Sequence, residues 1–129
     1  MTRRYVIIGS GAAGLAAAET MRRCDPQGRI DLISSEPYGY YSRPGLAYYL
    51  ASEIPRSQLF PMPSGTLKKM GVNSVQTLVN AIDPERHTIQ TSAGQVIPYD
   101  RLLIATGALA QRPDLPGVSL PAVVTLDSL

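Results

Sequence analysis

The sequence has few of the residues that build metal or redox sites. Its 129 residues include one cysteine, Cys24, and one histidine, His87. A single cysteine excludes an internal disulfide, a redox-active cysteine pair and a zinc site made of several thiolates. A single histidine argues against a histidine-based metal centre. We therefore expect no metal site, and we interpret Cys24 as a structural residue.

Strong charge and long apolar runs are also missing. The net charge of +2 is small and the basic residues are scattered, which argues against a nucleic-acid partner. No apolar run approaches the roughly 20 residues of a transmembrane helix. Arg3 and Arg4 precede an apolar tract, as in a secretion signal, but three glycines and Glu19 interrupt that tract. We expect a cytoplasmic protein with no membrane or nucleic-acid partner.

The first 34 residues show the pattern of a strand, a helix and a second strand. Residues 5–8 are an apolar run that Gly9 ends, which is typical of a buried strand. Residues 12–23 are rich in alanine and favour a helix. Residues 30–34, "IDLIS", repeat the strand pattern. Together they predict a βαβ crossover with parallel strands.

Gly9, Gly11 and Gly14 form the pattern G-x-G-x-x-G between the first strand and the helix. In dinucleotide sites the first glycine makes the tight turn, the second admits a pyrophosphate, and the third lets helix and strand pack closely. The helix start carries about half a positive charge and attracts an anion. Glu36 lies 22 residues after Gly14, where a carboxylate accepts hydrogen bonds from ribose hydroxyls. The pattern predicts a dinucleotide site; the alternative is that small residues merely pack a helix on a sheet.

The remaining sequence does not continue as simple strand–helix repeats. A tyrosine-rich stretch leads into a short helix-like segment and a proline-rich loop, and a second helical piece is predicted at residues 64–70. The strands predicted after it are residues 75–82, 87–91, 95–98, 101–108 and 122–125. The first three of these predict an antiparallel meander. The predicted fold class is α/β, a Rossmann-like βαβ dinucleotide-binding fold with an inserted antiparallel β-meander, of the three-layer β/β/α type.

Three segments, in this order, resemble one family. They are "VIIGSGAAGLAAAE", "SSEPYGYYSRPGLAYYL" and "NAIDPERHTIQTSAGQVIPYDRLLIATGA". The chain resembles the FAD-dependent pyridine nucleotide-disulfide oxidoreductases, especially the branch of rubredoxin and ferredoxin reductases, NADH oxidases and nitrite reductases. The resemblance covers nearly all of the chain. It implies FAD as the bound cofactor and NAD(P)H as a second cofactor of the full-length protein.

The resemblance also implies cofactor contacts at the positions that match the family's motifs. The glycine motif would hold the FAD pyrophosphate, Glu36 the adenosine ribose, and the Val79 backbone the adenine. The family's "RP" and "ATG" motifs, where the chain approaches the cofactor again, match here too; the alternatives are that Arg43 is a surface charge and that Thr106 and Gly107 only end a strand. The implied FAD-binding residues are Gly9, Gly11, Ala12, Ala13, Gly14, Glu36, Arg43, Pro44, Val79, Ala105, Thr106 and Gly107. No catalytic residue and no metal ligand is assigned.

Two departures from the family pattern limit the chemistry. Members that reduce disulfides or peroxide carry a redox cysteine in a "CGLPYY" context, and Pro44 occupies that position in "PGLAYY". Ferredoxin-type members often carry a lysine near the flavin, and Tyr48 stands there in this chain. His87 is predicted to lie in a solvated hairpin turn, with no acid–base role.

The predicted function is FAD binding within an NAD(P)H-dependent flavoprotein oxidoreductase that passes electrons to a carrier protein or a small oxidant. The alternative is a nucleotide-binding fragment without activity, because the family's second glycine-rich unit and later "GD" segment do not occur in this sequence. A dehydrogenase that binds only a nicotinamide cofactor is disfavoured by the meander. We expect residues 1–129 to be the N-terminal portion of an FAD-binding domain of a longer flavoprotein, with no NADH oxidation of its own. An unpaired sheet edge would favour homodimer contacts.

Overall fold

A computed structural model describes all 129 residues, which divide into two compact units. Unit 1 comprises Met1–Tyr40 and Met62–Gly107, and unit 2 comprises Tyr41–Pro61 and Ala108–Leu129. The helices are α1 (Ala12–Cys24), α2 (Gly45–Leu50) and α3 (Thr66–Lys69), with a 3-10 helix at Arg56–Leu59. The strands are β1 (Arg4–Ile8), β2 (Arg29–Ser34), β3 (Val72–Gln76), β4 (Val79–Asp83), β5 (Thr88–Thr91), β6 (Val96–Pro98) and β7 (Arg101–Ile104).

Unit 1 is built on a four-stranded parallel sheet with the strand order β3-β2-β1-β7. β1 lies between β2 and β7, with Ile7 opposite Leu32 on one side and Leu103 on the other. Residues 6–8 are buried because both faces of this sheet are covered, as is usual for parallel sheets. The carboxyl ends of β1, β2 and β7 therefore meet at one edge of the sheet.

Different layers cover the two faces of the parallel sheet. Side chains alternate along a strand, so neighbours in β1 point to opposite faces. Ile7 packs in one buried cluster with Ala18 of α1, whereas Val6 packs in another with Ile89 of β5. β4, β5 and β6 form the antiparallel meander that supplies Ile89. The predicted three-layer β/β/α fold is confirmed.

The strand predicted at residues 75–82 is wrong in its extent and its pairing. The chain forms two strands here: β3 joins the parallel sheet beside β2, and β4 starts the meander. Val72, which precedes the predicted strand, belongs to β3 and is buried against the helical layer. The Thr77 N–H donates to the Ser34 carbonyl at 2.9 Å, after which the chain leaves the parallel sheet. Local alternation gave the extended conformation but not the partner strand.

Three other predicted boundaries differ from the structure. α3 is shorter than residues 64–70, because Gly65 has a left-handed conformation (φ +81°) immediately before it. β7 ends at Ile104, short of residue 108. Residues 122–125 form no strand, and Val124 is 80% exposed. A strand needs a partner for its backbone groups, and unit 2 contains no strand with which residues 122–125 could pair.

Unit 2 packs around the buried side chains of Tyr41, Leu46 and Leu59. The Ser42 N–H donates to the Leu59 carbonyl at 2.8 Å, which ties the segment before α2 to the 3-10 helix. The Leu129 N–H donates to the Tyr41 hydroxyl at 3.3 Å. Unit 2 thus consists of short helices and coil that pack around Tyr41, Leu46 and Leu59.

His87 and Cys24 both lie at the surface of unit 1. His87 precedes β5 with a positive φ of 51°, and its ring stacks on Tyr99 with centroids 5.5 Å apart. Cys24 ends α1 and is exposed, so it adds nothing to the core. None of the helices combines the length and the apolar character that crossing a membrane requires.

Arg22, in the last turn of α1, ties three segments of unit 1 together. Its guanidinium donates to the carbonyls of Pro26 and Gly28 in the loop after α1, at 2.8 and 2.9 Å. It also donates to the carbonyls of Met70 and Gly71 after α3, at 2.8 and 2.9 Å. One side chain therefore provides hydrogen-bond donors to carbonyl groups in the loop after α1 and in the segment after α3.

Arg22→Ala should lower the free energy of unfolding by about 1–3 kcal/mol, because these carbonyls lose a charged donor. The matched control is Arg23→Ala, since Arg23 is exposed and its hydrogen bond to the Thr20 hydroxyl is long, at 3.4 Å. The control should change the free energy of unfolding by less than about 0.5 kcal/mol. Urea unfolding followed by circular dichroism measures both, and equal losses would contradict the role given to Arg22.

Asp31 is a buried carboxylate on the sheet face that the meander covers, with 1% of the residue exposed. It accepts hydrogen bonds from Asn73 Nδ2 at 2.7 Å, Arg4 Nε at 2.9 Å and Arg29 Nε at 3.3 Å. Burial alone raises the pKa of Asp31. The hydrogen bonds from Asn73 and Arg4 and the charges of Arg29 and Arg4 outweigh burial, so the pKa lies below its ordinary value.

Because the pKa of Asp31 is lower in the folded than in the unfolded chain, the stabilisation is complete at higher pH and is lost as the pH falls. We expect the free energy of unfolding to drop progressively below about pH 4. Asp31→Asn, which cannot titrate, should show a shallower drop over the same range. Urea unfolding across this pH range tests it, and identical pH profiles for the two proteins would contradict it.

Candidate dinucleotide site

Two glycines of the glycine turn, which comprises residues 9–14 from the end of β1 to the first turn of α1, are required by close packing. Gly9 has a positive φ of 111°, and a Cβ atom there would lie 2.1 Å from the Ala105 carbonyl oxygen. A Cβ atom at Gly14 would lie 2.0 Å from the Gly9 carbonyl oxygen. Both contacts are far shorter than van der Waals distance. The fold itself therefore demands glycine at these two positions, whatever the ligand.

Gly11 differs from the other two glycines of the motif. Its φ of −74° and ψ of −171° are extended backbone that any residue adopts. It is the N-cap of α1, and its carbonyl accepts the Leu15 N–H at 3.0 Å, the first hydrogen bond of the helix. The backbone conformation alone does not require glycine at this position.

The first turn of α1 presents backbone N–H groups without side-chain caps. No side chain caps the helix, and its first turn contains no acidic residue. The N–H groups of Ala12, Ala13 and Gly14 have no acceptor within the helix, and the two alanines are exposed. The start of this 13-residue helix also carries about half a positive charge. The arrangement suits an anion such as a pyrophosphate.

The end of β2 lies beside the glycine turn, and Glu36 follows that end by two residues. The Gly9 N–H donates to the Ile33 carbonyl at 2.7 Å, and the Ser10 hydroxyl donates to Ser34 Oγ at 3.1 Å. The Glu36 N–H donates to the same Ser34 oxygen at 3.3 Å. Glu36 is partly buried, and its Oε2 atom is shielded from solvent. A carboxylate and a helix start thus lie at the same edge of the parallel sheet.

The segment after β7 reaches this edge as well. The Ala105 N–H donates to the Ile8 carbonyl at 2.8 Å, so Ala105 extends the pairing of β7 with β1 by one residue. Thr106 and Gly107 are exposed, and Gly107 has a positive φ of 73°. These three residues therefore leave the sheet next to Gly9.

Val79 opens β4 just beyond the carboxyl end of β3. Val79 comes two residues after Thr77, whose N–H donates to the Ser34 carbonyl at the end of β2. Val79 lies opposite Thr91 of β5, and the pairing register shifts between Val79 and Ala81. Val79 thus belongs to unit 1, as do the glycine turn and Glu36.

Arg43 and Pro44 belong to unit 2 and lie at the start of α2. Pro44 is the N-cap of α2, and the Arg43 guanidinium lies 4.8 Å from the ring centroid of Tyr41. Tyr48, at the position of the family's lysine, is 55% exposed. All the site residues predicted from the sequence except Arg43 and Pro44 therefore belong to unit 1.

Sequence reasoning missed two serines that connect parts of the site. Ser10 fills the first variable position of the glycine motif, and Ser34 stands two residues before Glu36. A serine hydroxyl often accepts a hydrogen bond from the backbone N–H two residues further along the chain, so the position of Ser34 before Glu36 was a signal in the sequence. The contact between Ser10 and Ser34 joins the loop after β1 to the end of β2 and is visible only in the structure.

Alanine substitutions should separate the packing glycines from Gly11. Gly9→Ala and Gly14→Ala should each lower the free energy of unfolding by about 2–3 kcal/mol or more without any ligand, because the methyl group would overlap a carbonyl oxygen. Gly11→Ala should stay within about 1 kcal/mol of the wild-type value. Urea unfolding measures all three. A loss in Gly11→Ala as large as that in Gly9→Ala would contradict this account of the turn.

Comparison with known proteins assigns the chain to one family. Residues 3–129 match the model of the pyridine nucleotide-disulphide oxidoreductase family. The ferredoxin–NAD(+) reductase subunit of a benzene 1,2-dioxygenase system from Pseudomonas putida is 34% identical over 130 residues, which cover 98% of this chain and 31% of the relative. A rubredoxin–NAD(+) reductase from Pseudomonas putida is 33% identical, with 96% of this chain and 33% of the relative covered.

A solved structure shows the same fold. The ferredoxin reductase for the CYP199A2 system from Rhodopseudomonas palustris superimposes with a TM-score of 0.86 at 32% identity, covering 98% of this chain and 32% of that one. The chain thus spans about a third of the length of the relatives it matches. By its sequence, and by the sheet and turn described above, the chain belongs to the pyridine nucleotide-disulphide oxidoreductase family.

Proposed function

We propose that this chain binds FAD at the carboxyl edge of the parallel sheet in unit 1, as part of an NAD(P)H-dependent flavoprotein oxidoreductase. The observation that carries the proposal is the joint placement of the uncapped start of α1 and the Glu36 carboxylate at that edge. FAD contains a pyrophosphate next to an adenosine ribose. A positively polarised helix start beside a hydrogen-bond acceptor is complementary to that order of groups.

The donors and acceptors at this edge fit the cofactor. The N–H groups of Ala12 and Ala13 would hold the pyrophosphate, and the missing side chain of Gly11 would leave room for it. Glu36 would accept hydrogen bonds from the ribose hydroxyls and would repel a phosphate at the 2′ position. FAD, when bound, supplies the redox chemistry between a nicotinamide nucleotide and an electron acceptor.

Six further residues enter the proposal through the family motifs that they match. The Val79 backbone would contact the adenine. The remaining five are the residues at which the family approaches its cofactor again: Arg43, Pro44, Ala105, Thr106 and Gly107. Positive φ at Gly107 and the exposure of Thr106 are compatible with a chain that turns towards a ligand at this edge.

The electron acceptor is proposed for the whole protein, since this chain spans about a third of its relatives. The relatives are named as reductases of ferredoxin and of rubredoxin. We infer an electron-carrier protein of this kind as partner, with a small oxidant as the other acceptor class. Pro44 stands where disulfide-reducing members carry a redox cysteine, so a thiol at this position takes no part. A cytoplasmic location belongs to the same proposal.

Calorimetric titration with FAD tests the proposed site. The wild-type chain should bind FAD, and Gly11→Val should abolish binding while the chain stays folded, because a branched side chain would block the approach to the helix start. Glu36→Ala should weaken binding by about 1.5–3 kcal/mol, since charge-assisted hydrogen bonds to the ribose are lost. Glu85→Ala is the matched control, because it removes an exposed carboxylate of the same unit.

The outcomes distinguish the alternatives. No FAD binding by the wild-type chain, or unchanged affinity in Gly11→Val, would contradict the proposal. Tighter binding of NAD than of FAD would favour a nicotinamide-dependent domain. FAD binding without NADH oxidation would identify the chain as a binding module on its own.

A further inference from the structure

Ser34 stands between the glycine turn and Glu36. Its Oγ accepts the Ser10 hydroxyl at 3.1 Å and the Glu36 N–H at 3.3 Å, which engages both lone pairs of that oxygen. The Ser34 backbone is itself fixed, because its carbonyl accepts the Thr77 N–H at 2.9 Å beside β3. The hydroxyl is thus held by the parallel sheet and contacts two different parts of the proposed site.

The chain direction at Glu36 is set from both sides. The bond from the Glu36 N–H to Ser34 Oγ spans two residues, a local turn that takes the chain out of the strand. Pro37 follows and restricts Glu36 to extended conformations. With Ser34 on one side and Pro37 on the other, the Glu36 backbone has little freedom.

We propose that Ser34 is a positioning residue: it holds the Glu36 backbone, from which the carboxylate extends, relative to the glycine turn, and so matches the spacing of the ribose and pyrophosphate of the dinucleotide. This inference rests on the proposed function. Ser34 acts through Glu36 and is not itself assigned a contact with the ligand. The Ser34 oxygen bonds both Ser10 and Glu36, so it links the two binding groups directly, in addition to the bond from the Gly9 N–H to the Ile33 carbonyl.

A double-mutant cycle on FAD affinity tests this role. Ser34→Ala should weaken FAD binding about fivefold to tenfold in the wild-type background, and less than about twofold in the Glu36→Ala background. Ser34→Thr keeps the hydroxyl and should restore the affinity to within about twofold. Ser35→Ala is the matched control, because Ser35 is an exposed neighbour, and it should leave the affinity unchanged.

Ser10→Ala supplies a second variant if Ser34→Ala lowers stability, since it removes one hydrogen bond and keeps the turn at Glu36. Its loss of affinity should likewise disappear when Glu36 is replaced. Equal losses in both backgrounds, or no loss at all, would overturn the positioning role while the proposed function stands. Failure of the wild-type chain to bind FAD would overturn the proposed function, and this inference with it.

Discussion

Helix α1 can begin where it does because two side chains are missing at its start. A Cβ atom at Gly14 would lie 2.0 Å from the Gly9 carbonyl, and one at Gly9 would lie 2.1 Å from the Ala105 carbonyl. With a side chain at Gly14, α1 could not start directly above the end of β1, and with one at Gly9 the segment after β7 could not lie beside the turn. The position of the uncapped helix start, and hence of the proposed anion site, follows from this packing requirement.

The rest of unit 1 holds this edge rigid. Buried clusters cover both faces of the sheet, one with α1 and one with the meander. Arg22 fastens the far end of α1 to two loops, and Asp31 joins β1, β2 and β3 through Arg4 and Asn73. Away from the edge, Arg22 is thus bonded to backbone carbonyls and Asp31 to other side chains. The start of α1 remains accessible to a ligand, because Ala12 and Ala13 are exposed.

Several features could be predicted from residues 5–36, because their signals are local. An apolar run, a glycine motif and an alanine-rich helix each act over a few residues, so β1, α1 and β2 agree with expectation to within a residue or two. Partner choice is not local, so residues 75–76 of the strand predicted for the meander pair with β2 in the parallel sheet instead, and the strand predicted at residues 122–125 does not form. The bond between Ser10 and Ser34 likewise depends on strands brought together only by folding. Arg43 and Pro44 were predicted as site residues only because they match a family motif, since no physical signal in the sequence pointed to them.

The central claim is that the start of α1 and the end of β2 form one binding site for a dinucleotide. Backbone amide NMR of the ¹⁵N-labelled chain during titration with FAD tests it most directly. The account predicts that the largest shifts occur at the amides of Gly11 to Gly14 and of Glu36, while amides around Asp31 and Arg22 change little. Shifts confined to other parts of unit 1, with the amides of the glycine turn unchanged, would contradict it.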